Sequence, residues 1–186
     1  MNWNHHGVCF DIIILTSDMS SATYKQIILS QLQALLKPLG FRKKDQCFSI
    51  EAGDTILFIQ LQSSRKSTKD VLIATINLGI FSLLVAANEG NTRAPNILDA
   101  HWRERIGRFM PGGLDKWWTI HNQSEADLCG AEITSILVNR ALPHMRSLAS
   151  EDGLKSLWES GKSPGVTEYQ RKQFLQALTR ETNSDR

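Results

Sequence analysis

From Ser20 to Leu39 the apolar residues recur at helical spacing: Ile28, Leu32, Leu35, Leu36 and Leu39 share one face, with Lys25, Gln26 and Gln33 elsewhere. Ser20 or Ser21 supplies a hydroxyl for the free amides of the first turn, and Pro38 with Gly40 stops the helix. From Phe41 the period changes. Phe41–Lys44 and Gln46–Ala52 read as a short hairpin, and Gly53-Asp54 as a turn. Thr55–Gln62 then alternates with Leu57, Ile59 and Leu61 on one side. Val71–Ser82 is the clearest strand: Leu72, Ala74, Ile76, Leu78 and Ile80 share one side, and Thr75, Asn77 and Gly79 the other. Such alternation predicts an antiparallel sheet with one face on a core and the other exposed or site-forming.

Further along, Ala87–Pro95 reads as a polar turn region. Ser124 is expected to cap a helix running to about Leu142, with Ile133, Ile136 and Leu137 as its apolar face, and Pro143 to kink or end it. Ser150 starts a shorter helical turn carrying Leu154, Leu157 and Trp158. Thr167 to about Arg180 reads as a terminal helix with Tyr169, Phe174, Leu175 and Leu178. Together these elements predict an α+β fold, an antiparallel meander with helices packed on one face, in a single domain spanning residues 19–182. Residues 183–186 form a polar tail. Residues 1–18 fit neither a signal peptide nor the pattern that follows; Met19 opens a natural start before the first helix, so we expect translation to begin there.

Composition narrows the function. A chain of 186 residues with 41% hydrophobic and 22% charged content has room for one real core. Its net charge of +2, from 21 basic and 19 acidic residues, gives no whole-molecule attraction for nucleic acid or membrane. No apolar run approaches the roughly 20 residues that span a bilayer. The cysteines Cys9, Cys47 and Cys129 are sparse, odd in number and unpaired in spacing, which fits a reducing, cytoplasmic setting rather than a disulfide framework.

Candidate chemistry concentrates in His101–Trp118, which holds three of the five tryptophans together with Arg103, Arg105 and Arg108. If the segment opens as a strand, Arg103 and Arg105 share one face, and Trp102, Glu104 and Ile106 the other. Pro111-Gly112-Gly113 demands a sharp turn. The structural reading makes Trp102, Trp117 and Trp118 packing residues and joins Arg105 to Asp115 in a salt bridge fixing that turn. The functional reading is a cationic, aromatic-walled surface in which Arg103, Arg105 and Lys116 bind an anionic group beside Trp117 and Trp118, next to the sheet face at Thr75 and Asn77. The spacing GxxxxGK[ST] is absent, so Pro111–Lys116 is no phosphate loop. Arg42, Lys43 and Lys44 read as cations blunting a sheet edge. His101, His121 and His144 are isolated, and HExxH, GxSxG and paired-carboxylate patterns are missing. His5-His6 offers two metal ligands without a third. No catalytic residue, cofactor or metal is therefore expected.

Three stretches, in this order, resemble a known family: Leu35–Lys44, Thr75–Ile80, and Arg105–Arg108 through Pro111-Gly112-Gly113 to Trp118. As a set they are similar to the uncharacterised domain-of-unknown-function family numbered 4304, over roughly Ser20 to Leu157. The resemblance implies a small α+β domain, found mostly in bacteria, without an established activity, cofactor or catalytic residue. The residues before Met19 have no counterpart in it. The expected function is a non-enzymatic binding or interaction module, immunity- or antitoxin-like, that recognises a protein partner through its Arg/Trp segment. The alternative is an enzyme or ligand-binding domain acting on a small anion or nucleic acid.

Overall fold

A computed structural model describes residues 19–90 and 93–181. The proposed extension before Met19 and the polar tail lie outside the described residues. Helix α1 (Ser21–Leu36) is capped by Ser20, whose hydroxyl accepts from the Thr23 amide, and it buries Tyr24, Ile28, Leu29, Leu32 and Leu36. Leu39 falls beyond its end and is exposed. The chain leaves the helix through Gly40 at φ 90°, a left-handed conformation that glycine takes without steric cost.

Strands β1 (Arg42–Lys44), β2 (Cys47–Ala52), β3 (Thr55–Ser63) and β4 (Leu72–Ser82) follow as an antiparallel meander. The alternation read from the sequence holds: Leu57, Ile59, Leu61, Leu72, Ala74, Ile76, Leu78 and Ile80 are all buried on one face, against α1 and the later helices. On its free edge β4 pairs with two strands, β5 (Trp102–Arg105) along Asn77–Ile80 and β6 (Trp118–Ile120) along Leu72–Ala74. Both run antiparallel to β4, so they are two pieces of one interrupted edge strand. Between them Thr75 and Ile76 of β4 lack a strand partner on this edge, while the chain from Ile106 to Trp117 loops out and back.

The helices after β6 complete the layer over the core face. Helix α3 (Gln123–Ile136) starts at Asn122, not at Ser124: the Asn122 side chain accepts from the Glu125 amide, and the Glu125 carboxylate accepts from the His121 amide at 2.7 Å. Pro143 does not end the helical path. A five-residue π turn, Leu137–Ala141, joins α3 to α4 (Leu142–Leu148) and absorbs the missing proline donor. Helices α5 (Glu151–Glu159) and α6 (Glu168–Glu181) close the end of the domain, burying Leu154, Trp158, Phe174 and Leu178.

The opposite face of the sheet is half covered. Part of the stretch read as a polar turn begins instead inside a helix, α2 (Leu83–Asn88), capped by Ser82. A short 3-10 turn at Ile97–Asp99 then roofs Phe58 and Phe81 with Ile97, making a small second apolar cluster. Gly79 permits this roof, since a Cβ there would lie 2.9 Å from the Ala100 Cβ. No helix among the described residues is long and apolar enough to cross a membrane.

Candidate functional site

Strand alternation divides the Arg/Trp segment between the two sheet faces. Trp102 and Glu104 point to the helix side, opposite Ile80 and Leu78; Arg103 and Arg105 point to the other side, opposite Gly79 and Asn77. The register carries Arg105 into a row of polar side chains that crosses five strands, Lys44–Cys47–Gln60–Asn77–Arg105. The Asn77 amide donates to Gln62 at 2.8 Å and to Gln60 at 3.4 Å, which fixes an amide floor. Above that floor is a cavity of about 350 Å³ lined by Gln62, Asn77, Arg103, Arg105, Gly165 and the exposed Leu98.

Arg105 is held by two neighbours that also hold each other. Its guanidinium pairs with Asp115, lies 5.0 Å from the Trp117 ring centre, and shares Asp115 with the Trp117 indole N–H, which donates at 3.2 Å. The expected Arg105–Asp115 bridge is therefore present and clamps the neck of the Ile106–Trp117 loop. Pro111 leads into Gly112 and Gly113 at φ 85° and 61°, so the turn at the loop tip does need glycine. With 40% and 51% of the two side chains exposed, the bridge is screened by water. A double-mutant cycle on Arg105→Ala and Asp115→Ala, read by urea denaturation, should give a coupling of about 0.5–1 kcal/mol. A coupling near zero would mean that the clamp is closed by other contacts.

Arg103 is treated differently. Its terminal nitrogens donate only to backbone carbonyls, Leu98 at 3.5 Å and Gly165 at 3.3 Å, and its Nε is buried without any partner. Among the described residues no carboxylate lies within ion-pair distance of it. A half-buried guanidinium without an ion-pair partner, at the wall of a cavity that Glu104 also lines, is an arrangement that can take an incoming anion.

Arg103, Arg105 and Asn77 are thus brought together, with Trp117 at the margin. Lys116, Trp118 and Thr75 are not. The Lys116 ammonium sits 5.6 Å from the centre of the Trp118 ring, and Trp118 is buried with its indole N–H donating to Glu132 at 2.7 Å. Thr75 is fully buried, and its hydroxyl donates to the Lys116 carbonyl at 2.7 Å, filling the gap in the edge strand. The sheet face at Thr75 is therefore closed, contrary to the pattern reading, because the looped-out segment packs back over it. Gly165 and Leu98 complete the cavity and were not legible as site residues; no motif marks either.

The described thiols are chemically quiet. Burial pushes Cys47 up to about 11, and burial followed by the Glu132 charge, against Lys116, pushes Cys129 up to about 12. Neither forms a thiolate near neutrality, so neither is a ready nucleophile. Among the described residues no cluster of three or more His, Cys, Asp or Glu side chains is placed to hold a metal ion.

The geometry defines a class: an α+β domain whose antiparallel sheet presents a cationic cavity beside an interrupted edge strand. The chain belongs to the family described as a domain of unknown function (DUF4304), whose model matches residues 32–147. No curated protein and no solved structure matches it.

Proposed function

We propose that this chain is a non-enzymatic binding module that recognises a protein partner through a carboxylate seated between Arg103 and Arg105. The observation that carries the reading is the Arg103 guanidinium, charged, half-buried and without a counter-ion among the described residues. Leu98 and Leu114, exposed by 75% and 77%, add apolar contacts on the same stretches of chain, and Trp117 supplies a half-exposed indole. Arginine and tryptophan flanked by apolar residues make up the usual composition of an interface centre. A partner with an acidic segment fits an immunity- or antitoxin-like role. Unpaired Cys47 and Cys129 suit a reducing, cytoplasmic setting for it, and the family resemblance implies a bacterial one.

The test compares the partner retained by the wild-type chain from its native cells with that retained by Arg103→Ala and Trp117→Ala, each shown to be folded by circular dichroism. Loss of a buried charge pair should weaken binding by at least about 2 kcal/mol, or roughly thirtyfold. Equal retention by Arg103→Ala would overturn the proposal. A second reading, a small anionic ligand or substrate, draws on the cavity volume of about 350 Å³, which lies within the range of small-molecule sites.

A further inference from the structure

The alternation that sends Arg103 and Arg105 to one face of β5 sends Trp102 and Glu104 to the other, where a second and larger cavity of about 680 Å³ opens. It is lined by Trp102 and Glu104 from β5, Arg108 and Phe109 from the looped-out segment, His144 from α4, and Lys162 from the loop before α6. The His144 imidazole lies between two aromatic rings, 5.8 Å from Trp102 and 5.4 Å from Phe109 by ring centres. Phe109 is itself tied down, since its carbonyl accepts from Arg140 of the π turn at 2.9 Å. The wall is thus part aromatic, with Phe109 and His144 presented over the buried Trp102, and part polar, its charged groups being two cations and one carboxylate.

We infer that this cavity is a binding site for a small planar aromatic acid, its ring stacked on Phe109 with its edge toward the exposed His144, and its carboxylate toward Arg108 and Lys162. Stacking on ringed side chains selects a flat ligand. One excess positive charge over Glu104 selects a monoanion. Burial holds the Glu104 carboxyl above its ordinary range, against the Arg105 amide and Arg108, and holds His144 below its own. A neutral imidazole presents a ring nitrogen that accepts a hydrogen bond from a ring N–H of the ligand. The site opens on the other side of β5 from the proposed partner surface, with Glu104 lining both cavities, and it does not rest on that reading.

The probe is indole-3-carboxylate, titrated into the full chain while the His144 imidazole is followed by proton–nitrogen NMR, with His144→Gln used to assign the signal. The expected result is saturable movement of that signal at about 1 mM probe or less, as a dozen heavy atoms in a formed pocket allow. Cyclohexanecarboxylate, which is not flat, and inorganic phosphate, which has no ring, should bind at least about tenfold more weakly. Lys162 is exposed in a loop, so Lys162→Glu should fold and weaken the probe by at least about tenfold, whereas Lys66→Glu, an equal charge change on a distant loop, should leave it unchanged. Absence of saturation, equal binding of phosphate, or indifference to Lys162→Glu would each overturn the inference.

Discussion

Replacing Gly107 by alanine is expected to destabilise the folded chain by about 3 kcal/mol and to open the loop that carries Asp115 and Trp117. The cause is close approach of two backbones. A Cβ on residue 107 would stand 2.2 Å from the Leu114 carbonyl oxygen and 2.7 Å from the Lys116 amide nitrogen, well inside contact distance, and backbone atoms cannot swing away as a side-chain tip can. The two arms of the loop must then part. With them go the Arg105–Asp115 bridge, the indole donation to Asp115, and the Thr75 hydroxyl bond to the Lys116 carbonyl that plugs the edge strand. Urea denaturation followed by tryptophan fluorescence gives the loss. Gly112→Ala is the matched control: open space surrounds that position, so only its left-handed φ of 85° resists, for about 1 kcal/mol. If both variants lose the same amount, the loop neck is not packed as described.

The contrast between these glycines shows how far the sequence was readable. Gly112 and Gly113 announce a turn in any reading, because the requirement is local. Gly107 meets Leu114 and Lys116, and nothing local marks that encounter. The same division runs through the fold. Leu57, Ile59 and Leu61, and Leu72 to Ile80, show their buried side by alternation alone, since the side-chain period of a strand is fixed by its backbone. The Arg103/Arg105 face followed from the same rule. The rule stops after Arg105, where β5 ends, so the position of Lys116, over Trp118 and away from the two arginines, was beyond its reach. Helix α2 is six residues long, too short for its apolar period to separate from the end of β4. Thr75 looked exposed because its neighbours on that face are Asn77 and Gly79, yet a segment some forty residues later covers it.

His101 was read as an isolated histidine, and its burial makes it the strongest pH-sensitive element of the described fold. Only 4% exposed, it stacks on Phe81 with ring centres 4.7 Å apart and meets the edge of Phe174 at 4.9 Å. Its Nδ1 accepts from the Ser82 amide at 2.9 Å, which places the proton of the neutral ring on Nε2, toward the Glu89 carboxylate 3.8 Å away. Protonating Nδ1 would set two donors against each other at the corner where β4 turns into α2. Burial therefore lowers its pKa from 6.5 to about 4, with the Asp99 charge opposing only in part.

The sign follows from linkage. The unfolded chain takes up the proton below pH 6.5 while the folded chain refuses it until about pH 4, so the stabilisation is full above the unfolded value and is lost as pH falls through this window. The expected loss is about 2 kcal/mol by pH 5 and about 3 kcal/mol by pH 4. Burial of His144 adds in the same direction, so the contribution of His101 is isolated by difference against His101→Asn, which keeps an acceptor for the Ser82 amide and cannot titrate. Urea unfolding of both proteins at pH 7, 6 and 5 should show the wild type losing stability faster, with the two curves converging as pH falls. Parallel curves would mean that His101 takes up its proton as readily in the folded chain as in the unfolded one, and that the Ser82 amide does not hold its Nδ1 as an acceptor.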